Sequence, residues 1–274
     1  MKNRLCEVLG VRYPIIQGGM AWSTDATLAA AVSNGGAAGI IGTGGRPTEW
    51  VEEEIKKAKT LTDRPFGINL MLMAPNVEEI AELALREKVA FVTTGAGSPL
   101  PWIERMHQGG VKVIPVVPNV KLAKRIASSG ADALIIEGME AGGHIGTMTT
   151  MALLSNVLRE AYPIPVLAAG GISDGRAMAA ALLMGADGVQ MGTRFLLTTE
   201  CPVHEKTKEM ILNATDTDCV VTGYSRNMGV RCLANDFTRQ YLEAEISGAP
   251  KETLLAMGTG RSRKGMQEGD IVNG

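Results

Sequence analysis

The stretch Val166–Gly175, which reads VLAAGGISDG, contains the features that decide the fold. Its four leading apolar residues predict a buried strand, Gly170 and Gly171 predict a turn, and Asp174 predicts the start of a helix. Adjacent glycines free their backbone N–H groups to face an anion, and the positive end of a helix adds to that preference. We therefore interpret this unit as a phosphate-binding loop, with an ordinary glycine turn as the alternative.

The position of this loop in the chain separates two fold classes. Short apolar runs alternate with segments of helical period, which favours parallel strands joined by crossover helices. The runs are apolar almost throughout, which indicates that both faces of each strand are covered. Eight strands are predicted: Pro14–Gln17, Ala38–Ile41, Phe66–Leu70, Ala90–Thr93, Val113–Val117, Ala133–Ile136, Val166–Ala169 and Gly188–Met191.

Eight strand–helix units are typical of an α/β fold of the (β/α)8, or TIM barrel, type. An open doubly wound sheet is the competing fold, and it normally carries its phosphate fingerprint in the first strand–turn–helix. Here the first turn, Gln17–Met20, is not a GxGxxG sequence, whereas glycine-rich loops follow strands seven and eight. Phosphate often binds to those two loops in barrel enzymes, so we expect residues 1–200 to form a barrel.

Periodicity weakens beyond residue 200. We interpret residues 201–250, with helical runs near His204–Asn213 and Phe237–Ile246, as a small inserted lid segment after strand eight. Residues 251–274 are expected to return to the barrel. The helices predicted between the strands are Asp25–Ser33, Thr48–Lys59, Val77–Glu87, Pro101–Gln108, Lys121–Ser129, Thr150–Tyr162 and Asp174–Met184.

Composition excludes several classes of function. The net charge is -2 and the basic residues are scattered, so no nucleic-acid partner is expected. No uncharged apolar run approaches the length of a membrane span, and the amino terminus lacks a secretory signal. The 4 cysteines form no CxxC pair, which argues against a disulfide framework and a zinc site. A cytoplasmic location without a metal is the expectation.

The stretch Glu140–Gly146, which reads EAGGHIG, carries the strongest chemical signal. It directly follows a predicted strand and surrounds His144 with glycines, including Gly143 and Gly146. Glycine permits close approach of backbone to a ligand, and histidine exchanges a proton near neutral pH. We interpret His144 as a catalytic residue, with an incidental histidine in a surface turn as the alternative.

The other strand ends supply residues suited to a flat heterocycle. Amides present a donor and an acceptor together, and glycines let the backbone lie against a planar ring. Asn69 could equally be a turn residue, and Glu137 could equally form a salt bridge. The candidate cofactor-binding residues are Gln17, Gly18, Gly19, Met20, Asn69, Glu137, Gly143, Gly146, Gly170, Gly171, Gly192 and Thr193. Together these features describe a pocket for flavin mononucleotide (FMN).

With these residues, the chain resembles the FMN-dependent enoyl-acyl carrier protein reductase II family of bacterial fatty-acid synthesis. It is similar, more loosely, to the nitronate monooxygenases once called 2-nitropropane dioxygenases. The family continues beyond Glu268–Asp270 with a further helix, which this chain is expected to lack. The matching stretches are Tyr13–Trp22, Pro65–Asn69, Thr93–Gly97, Ile114–Pro118, Glu137–Gly146, Ala168–Ile172 and Val189–Phe195.

The resemblance implies a reaction. Electrons from NADH or NADPH would pass through FMN as a hydride to Cβ of a trans-2-enoyl thioester linked to acyl carrier protein or CoA. His144 would polarise or protonate the substrate near Cα, and the resemblance suggests a homodimer. In a nitronate monooxygenase, His144 would instead act as a base on a nitroalkane, and oxygen would reoxidise the flavin.

Two further hypotheses lie outside these reactions. A flavin-free barrel related to IMP dehydrogenase needs a nucleophilic cysteine on a catalytic loop. No cysteine lies between Cys6 and Cys201, which argues against that reading. A flavin-binding protein without enzymatic activity is the other alternative.

Overall fold

The computed structural model describes residues 3–160 and 162–274. Most of the chain forms a barrel of parallel strands surrounded by helices, and a smaller antiparallel sheet lies beside it. In chain order the strands are β1 (Ile15–Gln17), β2 (Gly39–Gly42), β3 (Phe66–Met71), β4 (Phe91–Gly95), β5 (Lys112–Val117), β6 (Leu134–Glu137), β7 (Gly143–His144), β8 (Val166–Ala169), β9 (Gly188–Met191), β10 (Cys219–Thr222) and β11 (Val230–Leu233).

Helices connect and extend these strands. They are α1 (Arg4–Leu9), α2 (Ala26–Asn34), α3 (Thr48–Leu61), α4 (Val77–Arg86), α5 (Leu100–Gln108), α6 (Val120–Ala127), α7 (Thr150–Leu158), α8 (Gly175–Leu183), α9 (Thr193–Leu196), α10 (Glu205–Asn213), α11 (Asp236–Ile246), α12 (Lys251–Gly258) and α13 (Arg261–Arg263), with a 3₁₀ turn at Tyr224–Arg226 and a π-helical turn at Lys264–Glu268. Among the described residues, no helix combines the length and apolar character needed to cross a bilayer.

The barrel closes through its first two strands. The sheet runs in the order β1-β9-β8-β6-β5-β4-β3-β2, with parallel pairing at every step. A parallel bridge between Ile16 and Ala38 joins the two ends of this sheet. There the N–H of Gln17 donates to the carbonyl of Ala38 at 2.9 Å, and the N–H of Ala38 donates to that of Ile15 at 2.9 Å. The predicted (β/α)8 barrel is confirmed, and each predicted strand matches an observed one to within two residues.

A helix that the sequence analysis did not predict plugs the amino-terminal end of the barrel. The side chain of Asn3 caps α1 by accepting from the N–H of Cys6, and Leu5 and Leu9 are buried inside the ring of strands. A methyl group on Gly188 would lie 2.6 Å from Cδ2 of Leu5, so glycine leaves the room that this plug needs. The helix is too short to give a periodic signal, which explains why it was missed.

The main apolar core lies between the outer face of the barrel and the surrounding helices. On α3, for example, Val51, Ile55 and Ala58 are fully buried, at the i, i+4 and i+7 spacing of an amphipathic helix. The predicted helices correspond to observed ones with small differences at their ends. The prediction Thr150–Tyr162 ends at Leu158 in the structure, and its residue 161 lies outside the described residues.

The segment after the barrel builds the second sheet. Strands β10 and β11 form an antiparallel hairpin, and β11 also pairs antiparallel with β7, so the order is β10-β11-β7. The last segment of the chain packs on this unit. The carbonyl of Met266 accepts from the N–H of His204 at 2.8 Å, and that of Val272 accepts from the N–H of Phe237 at 3.1 Å. Residues 201–250 are therefore attached both to the loop after β6 and to the final turns.

Candidate functional site

The side chains that point into the barrel are polar at its carboxyl end. Side chains alternate between the two faces of a strand, so Ile135 inside the barrel puts Glu137 inside as well. In the same way, Thr93 points into the barrel because it lies two residues after the buried Phe91. Gln190 points inward because it lies two residues after Gly188, which contacts the plug helix α1. Polar groups therefore line the mouth above an apolar interior, at the end where barrel enzymes bind their ligands.

Glycines let neighbouring side chains approach the backbone closely on the β1 side of this mouth. A methyl group on Gly19 would lie 2.6 Å from Cβ of Asn69, and one on Gly18 would lie 3.4 Å from Cδ of Gln190. The side-chain N–H of Asn69 donates to Oγ1 of Thr93 at 3.1 Å. The sulfur of Met20 lies 3.4 Å from the Cβ position of Gly192. The structure thus brings together Gly18, Gly19, Met20 and Asn69 at the mouth, where Gly18 and Met20 lie against β9 and its loop.

The predicted cofactor residue Gln17 has a different role in the structure. Its side chain is fully buried, its Oε1 accepts from the N–H of Ile40 at 2.9 Å, and its Nε2 donates to the carbonyl of Gly18. The amide thus replaces a main-chain bond at the seam between β1 and β2. Both of its polar atoms are used in closing the barrel, so we do not assign this amide to ligand binding.

Glu137 places an ionisable group inside the mouth. Its carboxylate makes no hydrogen bond or ion pair with the described residues, so the salt-bridge alternative finds no partner there. Burial raises the pKa of Glu137 from 4.5 to about 7, because the surrounding protein replaces the water that would stabilise its charge. Glu137 lies in register with Ala169 of β8, and Ala169 lies in register with Gln190 of β9.

The two glycine-rich loops after β8 and β9 have backbone donors without acceptors. Gly170 and Gly171 have φ angles of 97° and 71°, which favour glycine. Within the described chain, the N–H groups of Gly171 and Gly192 find no acceptor. The N-terminus of α8 is already capped, since Asp174 accepts from the N–H groups of Arg176 and Ala177. The glycine turns therefore keep free donors in addition to those that Asp174 caps.

His144 is exposed on the two-residue strand β7, between Gly143, with a φ of 80°, and Gly146, which packs near Pro118. Val230 of β11 is its partner in the sheet. A methyl group on Gly142 would lie 3.9 Å from Oγ1 of Thr193. The loop that carries the histidine therefore lies against the loop that follows β9.

Two residues of this region were missed by the sequence analysis. Gln190 is half-buried, faces the mouth, and has no side-chain hydrogen-bond partner in the described part of the chain. The alternation Gly188, Gln190 along β9 could have identified it. Arg231 donates from Nε to the carbonyl of Met139 at 3.1 Å. No local pattern could have indicated that contact, because its two ends are far apart in sequence.

Comparison with known proteins is consistent with this geometry. The family model described as nitronate monooxygenase matches residues 2–273. The structure of FabK from Thermotoga maritima superimposes with a TM-score of 0.96 at 43% identity, covering 100% of this chain and 87% of that one.

Two curated relatives carry different names. A Rhodococcus jostii protein named (3aS,4S,5R,7aS)-5-hydroxy-7a-methyl-1-oxo-octahydro-1H-indene-4-carboxyl-CoA dehydrogenase is 41% identical, over 86% of this chain and 67% of its own length. A Staphylococcus haemolyticus protein named "Probable nitronate monooxygenase" is 33% identical, over 92% of this chain and 84% of its own.

Proposed function

The chain belongs to the nitronate monooxygenase family and is a flavin-dependent oxidoreductase, and we propose that it reduces the double bond of a trans-2-enoyl thioester with FMN and NAD(P)H. One observation carries this proposal. An exposed histidine, His144, lies in a loop that packs against the glycine-rich loop after β9, beside the mouth of the barrel. The similarity to FabK over the whole chain supports a thioester substrate, as does the CoA ester named in the Rhodococcus relative.

The residues at the mouth fit FMN. The unpaired N–H groups of Gly171 and Gly192, with the hydroxyl of Thr193, would hold its phosphate. The backbone at Gly18 and Gly19 would lie against the ring, and the sulfur of Met20 lies near the loop that follows β9. Asn69 and Glu137 would bond its polar atoms. FMN, when bound, supplies hydride transfer between NAD(P)H and the substrate.

The protein provides the proton and the orientation. Reduction adds a hydride at Cβ and a proton at Cα, and His144 would donate that proton. General acid catalysis of this kind typically contributes about 10²–10⁴-fold to the rate. Glu137, with its raised pKa, would be largely protonated below pH 7 and could then donate a hydrogen bond as well as accept one.

Nitronate oxidation is the second candidate, and the name of the Staphylococcus relative favours it. His144 would serve either reaction, as an acid in the reductase and as a base in the monooxygenase. The similarity to FabK spans the full chain at a higher identity, so we place the reductase first.

Stopped-flow absorbance of the purified, FMN-loaded protein separates the two reactions. We expect NADH or NADPH to bleach the flavin within the turnover time, and crotonyl-CoA to restore its colour without oxygen. Flavin that is bleached only by nitronates would replace the reductase proposal with the monooxygenase. A protein that does not retain FMN would contradict both.

Substitution of His144 tests its role directly. His144→Ala should retain yellow FMN and lose turnover with crotonyl-CoA. His107→Asn is the matched control, because His107 lies in the last turn of α5, at the opposite end of the barrel, and pairs there with Asp132 at 2.8 Å. Unchanged turnover in His144→Ala would refute the catalytic assignment.

A further inference from the structure

Within the described chain, the loop that carries His144 is hydrogen-bonded to the barrel only near its ends. Its two ends are fixed there, since the N–H of Gly138 donates to the carbonyl of Ala169 at 3.1 Å and the carboxylate of Glu140 accepts from the N–H and hydroxyl of Thr150. Between Gly142 and Gly146, the backbone hydrogen bonds within the described chain go to the inserted segment.

This middle part is too flexible to place a side chain by itself. Three of its five residues are glycine, which loses more conformational freedom on ordering than any other residue. Ordering each residue costs about 1–2 kcal/mol of backbone entropy. The imidazole therefore needs an external support to keep one orientation at the mouth.

Strand β11 supplies that support. Val230 and Arg231 pair with His144 and Gly143, and the carbonyl of Gly229 accepts from the N–H of Ile145 at 2.9 Å. A methyl group on Gly229 would lie 3.2 Å from Cγ1 of Ile145, so the two chains are also in close contact. The hairpin thus holds the residues on both sides of the imidazole.

Arg231 joins the hairpin to the base of the same loop. Its Nε–H donates to the carbonyl of Met139, and the N–H of Met139 donates to the carbonyl of Met148 at 2.8 Å. The side chain of Arg231 therefore holds the loop at Met139, where the start of the loop bonds to its end at Met148. Hydrogen bonds from a charged donor are the stronger ones.

The hairpin is itself rigid at its turn. Glu245 of α11 accepts from the N–H of Gly223 at 2.7 Å, the N–H of Ser225 at 2.9 Å and the hydroxyl of Ser225 at 2.6 Å. Its side chain is buried, so these bonds have little competition from water. The support therefore extends from α11 through the turn to β11.

We propose that the inserted segment positions the catalytic histidine, and that Arg231 is the positioning residue that connects the two. The proposal rests on the role of His144 given above for its catalytic consequence, and on the hairpin geometry alone for its structural one. The sheet β10-β11-β7 then supports His144, in addition to any role of the inserted segment as a lid over the barrel mouth.

Arg231→Met tests this, because it keeps the length of the side chain and removes its donors. Arg239→Met is the matched control, since Arg239 is exposed on α11 of the same segment and pairs with Asp236. In the FMN-loaded protein, we expect amide hydrogen exchange of residues 139–149 to become about tenfold faster in Arg231→Met only. The melting temperature and the exchange of α11 should not change.

The two half-reactions give a second measurement. Bleaching by NAD(P)H should keep its rate in Arg231→Met, while recovery of colour with crotonyl-CoA should slow by about 10- to 100-fold, because a misplaced acid affects only the second step. Arg231→Lys should recover part of this loss. Equal exchange and equal half-reactions in both Met variants would overturn the proposal.

The structural part is testable even if the enzyme acts on another substrate, or if Arg231→Met fails to fold. In the unmodified protein at low urea, the amide of Ile145 should open together with those of β11. If it opens instead with the amide of Gly138, the hairpin does not hold the loop and the proposal fails. If the unmodified protein does not reduce crotonyl-CoA but Ile145 still opens together with β11, only the proposed reaction is contradicted.

Discussion

Replacing Glu137 with glutamine should change how the stability of the FMN-free protein depends on pH. Burial raises the pKa of this carboxyl from 4.5 to about 7. The folded protein therefore binds a proton more tightly than the unfolded chain. Protonation of Glu137 thus contributes to the stability of the folded protein, and this stabilisation is fully present below pH 4.5. It is lost as the pH rises through about 7, because the unpaired carboxylate must then ionise in a poorly hydrated site.

The size of this effect follows from the shift. The rise of the pKa from 4.5 to about 7, at roughly 1.4 kcal/mol for each tenfold change in proton affinity, corresponds to about 3.5 kcal/mol. Glu137 keeps some contact with solvent, so we expect about 2–3 kcal/mol. Glutamine has the same shape and never ionises. The stability of Glu137→Gln relative to the unmodified protein should therefore increase by this amount between about pH 4.5 and 8.

Urea unfolding of both proteins at several pH values measures the difference, in which all other titrating groups cancel. Titration of ¹³C-labelled glutamate carboxyls gives the pKa directly, and the signal absent from Glu137→Gln identifies the residue. Parallel stability curves for the two proteins, or a midpoint near 4.5, would refute the argument that Glu137 lies unpaired and desolvated.

Three other predictions concern residues with known contacts. Gly19→Ala places a methyl group 2.6 Å from Cβ of Asn69, which should cost about 1–3 kcal/mol and lower the FMN content, as measured by melting temperature and visible absorbance. Gly171→Ala must adopt a φ of 71°, which costs about 1–2 kcal/mol; titrations should show weaker FMN binding but unchanged riboflavin binding, and an equal loss for both would exclude a phosphate role. Gln17→Leu leaves the buried N–H of Ile40 without its acceptor and should destabilise the barrel by about 1–3 kcal/mol in urea unfolding, whereas FMN affinity at low temperature should be kept.

The position of the candidate site could be predicted from the sequence because its signals are local. Each strand is an apolar run, and the carboxyl ends of parallel strands in a barrel meet at one mouth. The glycine turns after β8 and β9 and the histidine loop after β6 had to lie together there once the strand count was known. The contact between Gly142 and Thr193 is the observed result.

The roles of particular side chains at that mouth depended on contacts that no local pattern contains. Gln17 appeared to be a ligand residue, yet it closes the seam between β1 and β2, because β1 has only three residues and its amide replaces a missing main-chain bond. Gln190 was not among the predicted site residues, although the alternation of side chains along β9 points it into the barrel, as the alternation along β6 does for Glu137. The high pKa of Glu137 likewise follows from the protein around it, not from its neighbours in sequence.

The sequence by itself determined the parallel barrel, the order of its loops and the histidine among glycines, because periodicity and turn chemistry act over a few residues. Only the tertiary structure decided what holds that histidine. A strand of two residues, one of them glycine, has no recognisable pattern, and it exists because β11 pairs with it. Such pairing gains its stability from a partner distant in the chain, so it is determined by the fold as a whole.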